Sequence, residues 1–306
     1  MFKLKSLFWC SPAVLVTVFL GLLIPAGTVQ GAESQVKKPL RVIMIGAHPD
    51  DVEVKGGGTA ALWARAGAKV LLVSVTNGDA GHQSEGGGAL ARRRAAESRK
   101  SAEILGVSWK TLDFHDGELV PSLEARHAVI RAIREWQADI VISHRSNDYH
   151  PDHRYTGQLV QDAAYIVAVP NVCPDTPRLE KNPVFLYFID GFRKPYPFTP
   201  DVVVDIDPVM DKKWRSIHSM TSQMYEWLPW ISGRLDQVPD GDAARFEWLK
   251  NWRSGRMESW KKRSYDLLVE RYGADHAGKV KHVEAFELCE YGRRPGREEL
   301  WEMFPK

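Results

Sequence analysis

The sequence predicts an α/β fold, a Rossmann-like three-layer sandwich with a mainly parallel sheet and a C-terminal helical extension. Three observations predict it. Apolar runs of strand length alternate with stretches of helical composition from residue 40 to about residue 205. Alternation with helices of this length implies right-handed βαβ crossovers and therefore parallel pairing. From Pro208 onward the chain reads as mostly helical and rich in tryptophan, and no Pro/Ser/Gly linker separates it from what precedes.

Taken in order, LRVIMI (residues 40–45) reads as a buried strand, and GGGTAALWARAG as a helix that stops at Gly67. KVLLVSVT (69–76) is a second strand. The Gly-rich NGDAGHQSEGGG is a loop, and ALARRRAAESRKSAEIL a helix ended by Gly106. SWKTLDF is a third strand, LEARHAVIRAIREWQ an amphipathic helix and DIVISH a fourth strand. Residues 155–168 return to helix, PVFLYFID is a fifth strand, and DVVVDID is a candidate sixth. A single domain over residues 33–306 follows, with its core at about 40–205 and the helical extension at about 208–306.

Residues 1–32 differ from the rest. Lys3 and Lys5 precede an apolar stretch broken by Pro25 and Gly27, and Val29-Gln30-Gly31 offers a small-residue cleavage site. This is the pattern of a secretory signal peptide, and it implies export to the periplasm or the cell exterior. Left uncleaved, residues 7–26 are about long enough to anchor the chain in a bilayer. Cleavage removes two lysines and brings the net charge from +2 to 0. A neutral protein has no broad basic field for a polyanion, so nucleic acid is not an expected partner. Cys173 and Cys289 remain, outside any CxxC pattern, and whether they pair depends on their separation in the fold. Nothing in the sequence sets the oligomeric state, and a homo-oligomer is compatible with it.

Ligands of open parallel sheets bind beyond the carboxyl ends of the strands, and two clusters fall there. His48, Asp50 and Asp51 follow the first strand in GAHPDDVE. His144, His150, Asp152 and His153 follow the fourth, the last three in YHPDHR. His48 and Asp51 are spaced i, i+3. If Pro49 opens a helical turn, both project to one side and Asp50 points elsewhere. A third ligand from the second cluster completes two histidines and a carboxylate, the donor set of catalytic zinc with one open position. Asp51 then binds metal and Asp50 takes the proton of the attacking water. His150 and His153 repeat the i, i+3 spacing, so that one ligates and the other donates to a developing oxyanion; spacing does not choose between them. Asp152 is placed to orient an imidazole. A carboxylate at a strand end is ordinarily a helix cap, but two such clusters in one small domain are poorly explained by capping. Tyr149 is a candidate proton donor or pocket cap, with aromatic packing as the competing role. His82 in the Gly-rich loop is a candidate gate, though it reads more simply as a solvated loop histidine.

AHPDDVE, GGGT, TNGDAG, the Arg94-x-x-Glu97 pair followed by Leu105-Gly106, FHDGEL and HPDH occur in that order over about residues 40–160. Together they resemble the PIG-L/LmbE family of zinc-dependent de-N-acetylases, which act on N-acetylglucosamine units. The resemblance implies one catalytic Zn2+ held by His48, Asp51 and His153, with other divalent ions also suited to the donors. It implies Asp50 as general base, His150 as oxyanion or acid residue and Asp152 as its supporting neighbour. It also implies Arg94 and Asp116 as substrate contacts. The expected substrate is an N-acetylated sugar, such as a glycan or chito-oligosaccharide. Towards the C-terminus the resemblance weakens: in KKWRSIHSMTSQ, Met220 stands where the family commonly has histidine, and Glu284 in HVEAFELCEYG has no assigned role. Most of the tryptophans read as core, and a few are candidates for stacking on sugar faces at the pocket rim.

Three other readings use the same observations. A metal-dependent amidase acting on a non-sugar or thiol-conjugate amide would need the same core. A non-catalytic glycan-binding protein would have no use for a general base. A dinucleotide-binding oxidoreductase is suggested by the fold alone, but no G-x-G-x-x-G follows the first strand.

Overall fold

The computed structural model describes residues 38–306; the leader expected over 1–32 lies outside the described residues. The chain runs β1 (Arg41–Gly46), α1 (Asp51–Arg65), β2 (Lys69–Thr76), α2 (Gly87–Leu105), β3 (Ser108–Phe114), α3 (Leu123–Trp136), β4 (Ile140–Ser143), α4 (Pro151–Ile166), β5 (Val184–Phe188) and β6 (Val202–Asp205). Then come α5 (Met210–His218), a π-helical stretch (Ser222–Trp227) continued by α6 (Leu228–Ile231), α7 (Asp242–Arg263), α8 (Tyr265–Tyr272), α9 (Ala274–Lys279), β7 (Val283–Gly292) and α10 (Arg297–Glu302).

Seven strands form one sheet in the order β3-β2-β1-β4-β5-β7-β6. The first five are parallel, and β7 pairs antiparallel with both β5 and β6. The three layers follow from the alternation of β1. Val42 and Met44 face a core shared with α1, α5 and α7, whereas Ile43 and Ile45 face a core shared with α3 and α4. Both faces are covered, so the strand is continuously apolar from Val42 to Ile45. Strand order reverses between β1 and β4, and the crevice at that switch point is where ligands of such sheets bind.

The extension, expected to be mostly helical, also contributes a strand. Val283–Gly292 is a ten-residue strand inserted between β5 and β6. Alternating VEAFELCE suits a strand, but its partners lie about 80 to 100 residues earlier in the chain, so local sequence does not reveal the pairing. Glu284 on β7 is fully buried and bonded to Lys213 of α5 at 2.6 Å. Its carboxylate also accepts the N–H groups of Gly58 and Thr59, while Lys213 takes the carbonyl of Val54. One ion pair thus ties β7 and α5 to the middle of α1, whose N-terminus carries the site. Burial of such a pair without a full set of partners would be strongly unfavourable.

Gly157 places α4. A Cβ there would lie 2.8 Å from the carbonyl oxygens of His144 and Arg145, so only glycine lets the helix approach the end of β4. Cys173 and Cys289 are buried and unpaired, and the Cys289 Sγ accepts a bond from the Tyr187 hydroxyl at 2.9 Å. Among the described residues no helix is long and apolar enough to cross a membrane.

Candidate metal centre and active site

The turn after β1 does not start as expected. Pro49 lies in a tight turn before the helix, and α1 begins at Asp51. The His48 carbonyl accepts the N–H groups of Asp50 and Asp51, so the i, i+3 pairing of His48 with Asp51 comes from this turn. After β4 the helix begins earlier: His150 is the N-cap of α4 and Pro151 its first residue.

Three side chains converge across the switch point. His48 Nδ1 lies 3.1 Å from His153 Nε2 and 3.5 Å from Asp51 Oδ2, and Asp51 Oδ1 lies 3.3 Å from His153 Nε2. Donors bonded tetrahedrally to zinc at roughly 2.0–2.1 Å stand about 3.3 Å from one another. Two imidazole nitrogens and a carboxylate at these separations fit a divalent ion, and each is held from behind. Asp51 Oδ2 accepts the N–H groups of Ala47 at 3.0 Å and His48 at 2.8 Å. His153 Nδ1 donates to Asp148 Oδ1 at 3.0 Å, which leaves the Nε2 lone pair facing the other donors. His48 Nε2 is flanked by Asp116 Oδ1 at 3.0 Å and Asp152 Oδ2 at 3.3 Å, although neither is aligned for a good hydrogen bond. Their charge favours the proton on Nε2 and the lone pair on Nδ1.

His144 supports the same carboxylate. Lys55 is 3.0 Å from its Nδ1, and its Nε2 lies 3.1 Å from the Ala47 N–H, which donates to it, and 3.3 Å from Asp51 Oδ2. Burial, reinforced by Lys55, drops the His144 pKa to about 3 and keeps the ring neutral. Burial opposes the Asp51 charge, but His153 and His144 outweigh it and hold this carboxyl well below the usual range.

Asp50 is free of the metal donors and of the helix. It has φ 153°, a conformation L residues rarely adopt, and its side chain makes no capping bond. Its carboxylate lies on the cleft, 3.5 Å from the Arg94 guanidinium. Burial raises it to about 6, with Arg94 pulling the other way. His150 faces the cleft from α4. Its Nδ1 accepts the Asp152 N–H at 3.2 Å, so a neutral ring carries its proton on Nε2. Burial and the neighbouring His48 and His153 lower its pKa and keep it neutral.

Asp152 takes a different position from the one expected. It is fully buried, accepts the Gly117 N–H at 2.7 Å and faces His48; its carboxylate does not orient His150. Within the first helical turn it points back beneath the β1 turn. Asp116, expected at the sugar, lines the cleft but spends one oxygen on His48. Arg94 is only 2% exposed and bonds the carbonyls of Pro49 at 3.0 Å and Gly78 at 3.2 Å. It lies so close over Gly78 that a Cβ there would meet it at 2.4 Å. Arg94 therefore forms the cleft wall between Asp50 and Asp116. Tyr149 is 72% exposed at the rim, with its edge to His150 and His153.

His82 is buried rather than solvated. It bonds Glu226 at 2.9 Å, and Arg93 bonds the same carboxylate, so the Gly-rich loop is clipped to the π-helical stretch. That stretch supplies Gln223 and Trp227 to the cleft, as π-helical turns often do at functional sites. Trp227 stacks on Trp230, which is 46% exposed, while Trp214 and Trp260 are buried. Sequence reasoning misses Asp148, Lys55 and Gln223; only Asp148, two residues before HPDH, leaves a local signal.

Fold and site together define a three-layer α/β protein in which two histidines and a carboxylate form a centre at the switch point of the sheet. Residues 43–164 match the family model described as PIG-L, GlcNAc-PI de-N-acetylase. The diacetylchitobiose deacetylase of Thermococcus kodakarensis is 34% identical over 203 residues, which is 62% of this chain and 74% of that protein. The chain belongs to the PIG-L family. The 4-oxalmesaconate hydratase of Pseudomonas putida is 26% identical over 193 residues, 60% of this chain and 74% of its own. The structure of N,N'-diacetylchitobiose deacetylase from Pyrococcus horikoshii shares the fold, with a TM-score of 0.63 at 24% identity over 83% of this chain and 85% of that one.

Proposed function

We propose that this protein is a zinc-dependent hydrolase that removes the N-acetyl group from an N-acetylglucosamine-type residue of a glycan or glycoconjugate and releases acetate. The observation that carries the reading is the uncapped Asp50 carboxylate beside three donors spaced 3.1–3.5 Å apart. A binding protein needs no such base. Similarity to a diacetylchitobiose deacetylase supports the substrate class. The signal-like pattern of residues 1–32 supports export, which puts the substrate outside the cytoplasm.

His48, Asp51 and His153 would hold the ion. When bound, it supplies Lewis acidity, which makes water a nucleophile near neutral pH and polarises the acetamide carbonyl. Asp50 accepts the proton of the attacking water as the C–O bond forms. His150 donates its Nε2–H to the oxygen that gains charge. Asp50 then returns the proton to the nitrogen as the C–N bond breaks, leaving acetate and a free amine. Arg94 holds Asp50 in place throughout.

The test is an acetate-release screen with zinc-loaded protein on N-acetylglucosamine, its oligomers and N-acetylated glycoconjugates. Acetate and a new amine from any of them are expected. The mycothiol S-conjugate amidase of Streptomyces coelicolor, 27% identical, gives the rival arm. Cleavage of thiol-conjugate amides with no acetate from any sugar would replace the proposal with an amidase.

A further inference from the structure

The metal centre opens on two lobes. One, of about 260 Å³, is lined by His150, Arg94, Asp116 and Trp227. The other, of about 600 Å³, shares Asp50, Asp51, Tyr149 and His153 with it and extends to α7. Most charged groups of the second lobe have partners within the protein, Lys55 beside Asp148 and Arg263 on the Asp190 carbonyl among them. Asp148 is bonded to His153, and Asp190 is held by Arg145 through contacts of 2.5 and 2.7 Å. Asp50 has Arg94 as its counter-charge. Arg253 and Arg256 of α7 line the lobe and form no ion pair among the described residues.

Arg253 is the more telling of the two. Its Nε is buried without a partner. One terminal nitrogen meets only the Met224 sulfur, at 3.8 Å, and the guanidinium lies 4.3 Å over the Trp252 ring. Burial lowers its pKa only to about 10, so it is charged at neutral pH. Arg253 is partly buried, and the only carboxylate charge acting on it is that of Asp50, which already faces Arg94, so an anionic ligand would complete its pairing. The i, i+3 spacing of Arg253 and Arg256 puts both on one helix face, and paired guanidinium groups suit planar or tetrahedral oxyanions.

We propose that this lobe binds an acidic group, a carboxylate, sulfate or phosphate, on the sugar next to the one deacetylated, with Arg253 and Arg256 as its ligands. The preferred substrates are then acidic N-acetylated glycans. This rests on the deacetylase reading and narrows it.

The test compares kcat/KM for a neutral N-acetylglucosamine disaccharide with disaccharides of the same linkage carrying a uronate, a sulfate or a phosphate on the neighbouring sugar. Wild-type protein is expected to favour at least one acidic form by on the order of 10-fold or more. R253Q and R256Q should collapse that ratio, chiefly through KM, and R253K should retain part of it. The acid with the largest ratio identifies the group. A wild-type ratio near one, or a ratio that survives both glutamine variants, overturns the proposal. Calorimetric binding of the same disaccharides to zinc-loaded Asp50→Asn protein separates the two readings. If no sugar releases acetate, the deacetylase reading fails. Acid-selective binding that R253Q abolishes would still uphold the anion lobe, and equal binding of neutral and acidic disaccharides would sink it.

Discussion

The two turns that build the site share a motif, HPDD after β1 and HPDH after β4, yet they use it differently. The fourth residue of each, Asp51 or His153, faces the metal donors. The first and third residues exchange kinds of work. His48 meets His153 and Asp51 through Nδ1 at the proposed metal centre, whereas His150 spends its Nδ1 on capping a helix. Asp50 stands uncapped on the cleft, whereas Asp152 is buried behind His48. The difference comes from helix phase. α1 starts at the fourth motif residue and α4 at the second, so the third residue lies before the helix in one turn and inside it in the other. What a motif residue does is therefore set by where the helix begins, and the motif itself does not say where that is.

The sharpest break of this comparison is to neutralise the third residue in each turn. Asp50→Asn should cut turnover by roughly 10²–10⁴-fold, the range for loss of a general base, with metal content unchanged. Asp152→Asn should act instead through His48, weakening metal affinity or activity by roughly 10–100-fold, as loss of an outer partner of a metal ligand does. Kinetics and metal analysis on both variants check this. If Asp152→Asn proves as inactive as Asp50→Asn while holding its metal fully, the phase argument fails.

The first residues offer the next contrast. His150→Ala should lower kcat by roughly 10²–10³-fold, the effect of losing one oxyanion donor, and leave metal bound. His48→Ala should lose metal outright. Full metal occupancy in the His48 variant would remove it from the ligand set. A smaller effect is expected at Asp148, whose carboxylate fixes the His153 tautomer. Asp148→Asn should cost roughly 10-fold or somewhat more in metal affinity, read by competition with a chelator.

Much of this architecture is legible in the sequence because it is local. Five parallel strands can be read from apolar runs, and the i, i+3 spacing puts His48 with Asp51 before any fold is known. Their convergence with His153 follows from the reversal of strand order between β1 and β4. The illegible parts depend on distance or on phase. β7 and the Lys213–Glu284 pair reach α1 from more than 150 residues away, with no local sign of their partners. Lys55 looks like a solvated helix residue until it meets His144. Asp152 is expected beside His150 and its carboxylate lies at His48, because a two-residue difference in helix start decides which way it points. Arg94 is expected to contact substrate and does line the cleft, but its bonds to Pro49 and Gly78, which depend on the loop glycines, have no sign in the local sequence.

The turns also differ in the protons they hold before metal arrives. In the metal-free protein burial lowers the His48 pKa, but Asp116, Asp152 and Asp51 outweigh it and raise it well above the usual imidazole value. His144 and His150 are shifted the other way and are neutral at pH 7. A metal ligand must present a lone pair, so binding must expel the His48 proton. The sign follows: affinity falls as pH drops below the raised pKa and levels off above it, where that proton has already gone. Titrating metal-free protein with Zn2+ at pH 7 in buffers of different ionisation enthalpy should show about one proton released from His48. Water acidified by the ion adds its own release, so the decisive quantity is a difference. Asp116→Asn removes the carboxylate nearest Nε2 and should lower the release while leaving the water's share in place. Equal release from wild type and Asp116→Asn would mean that the proton is not held at His48.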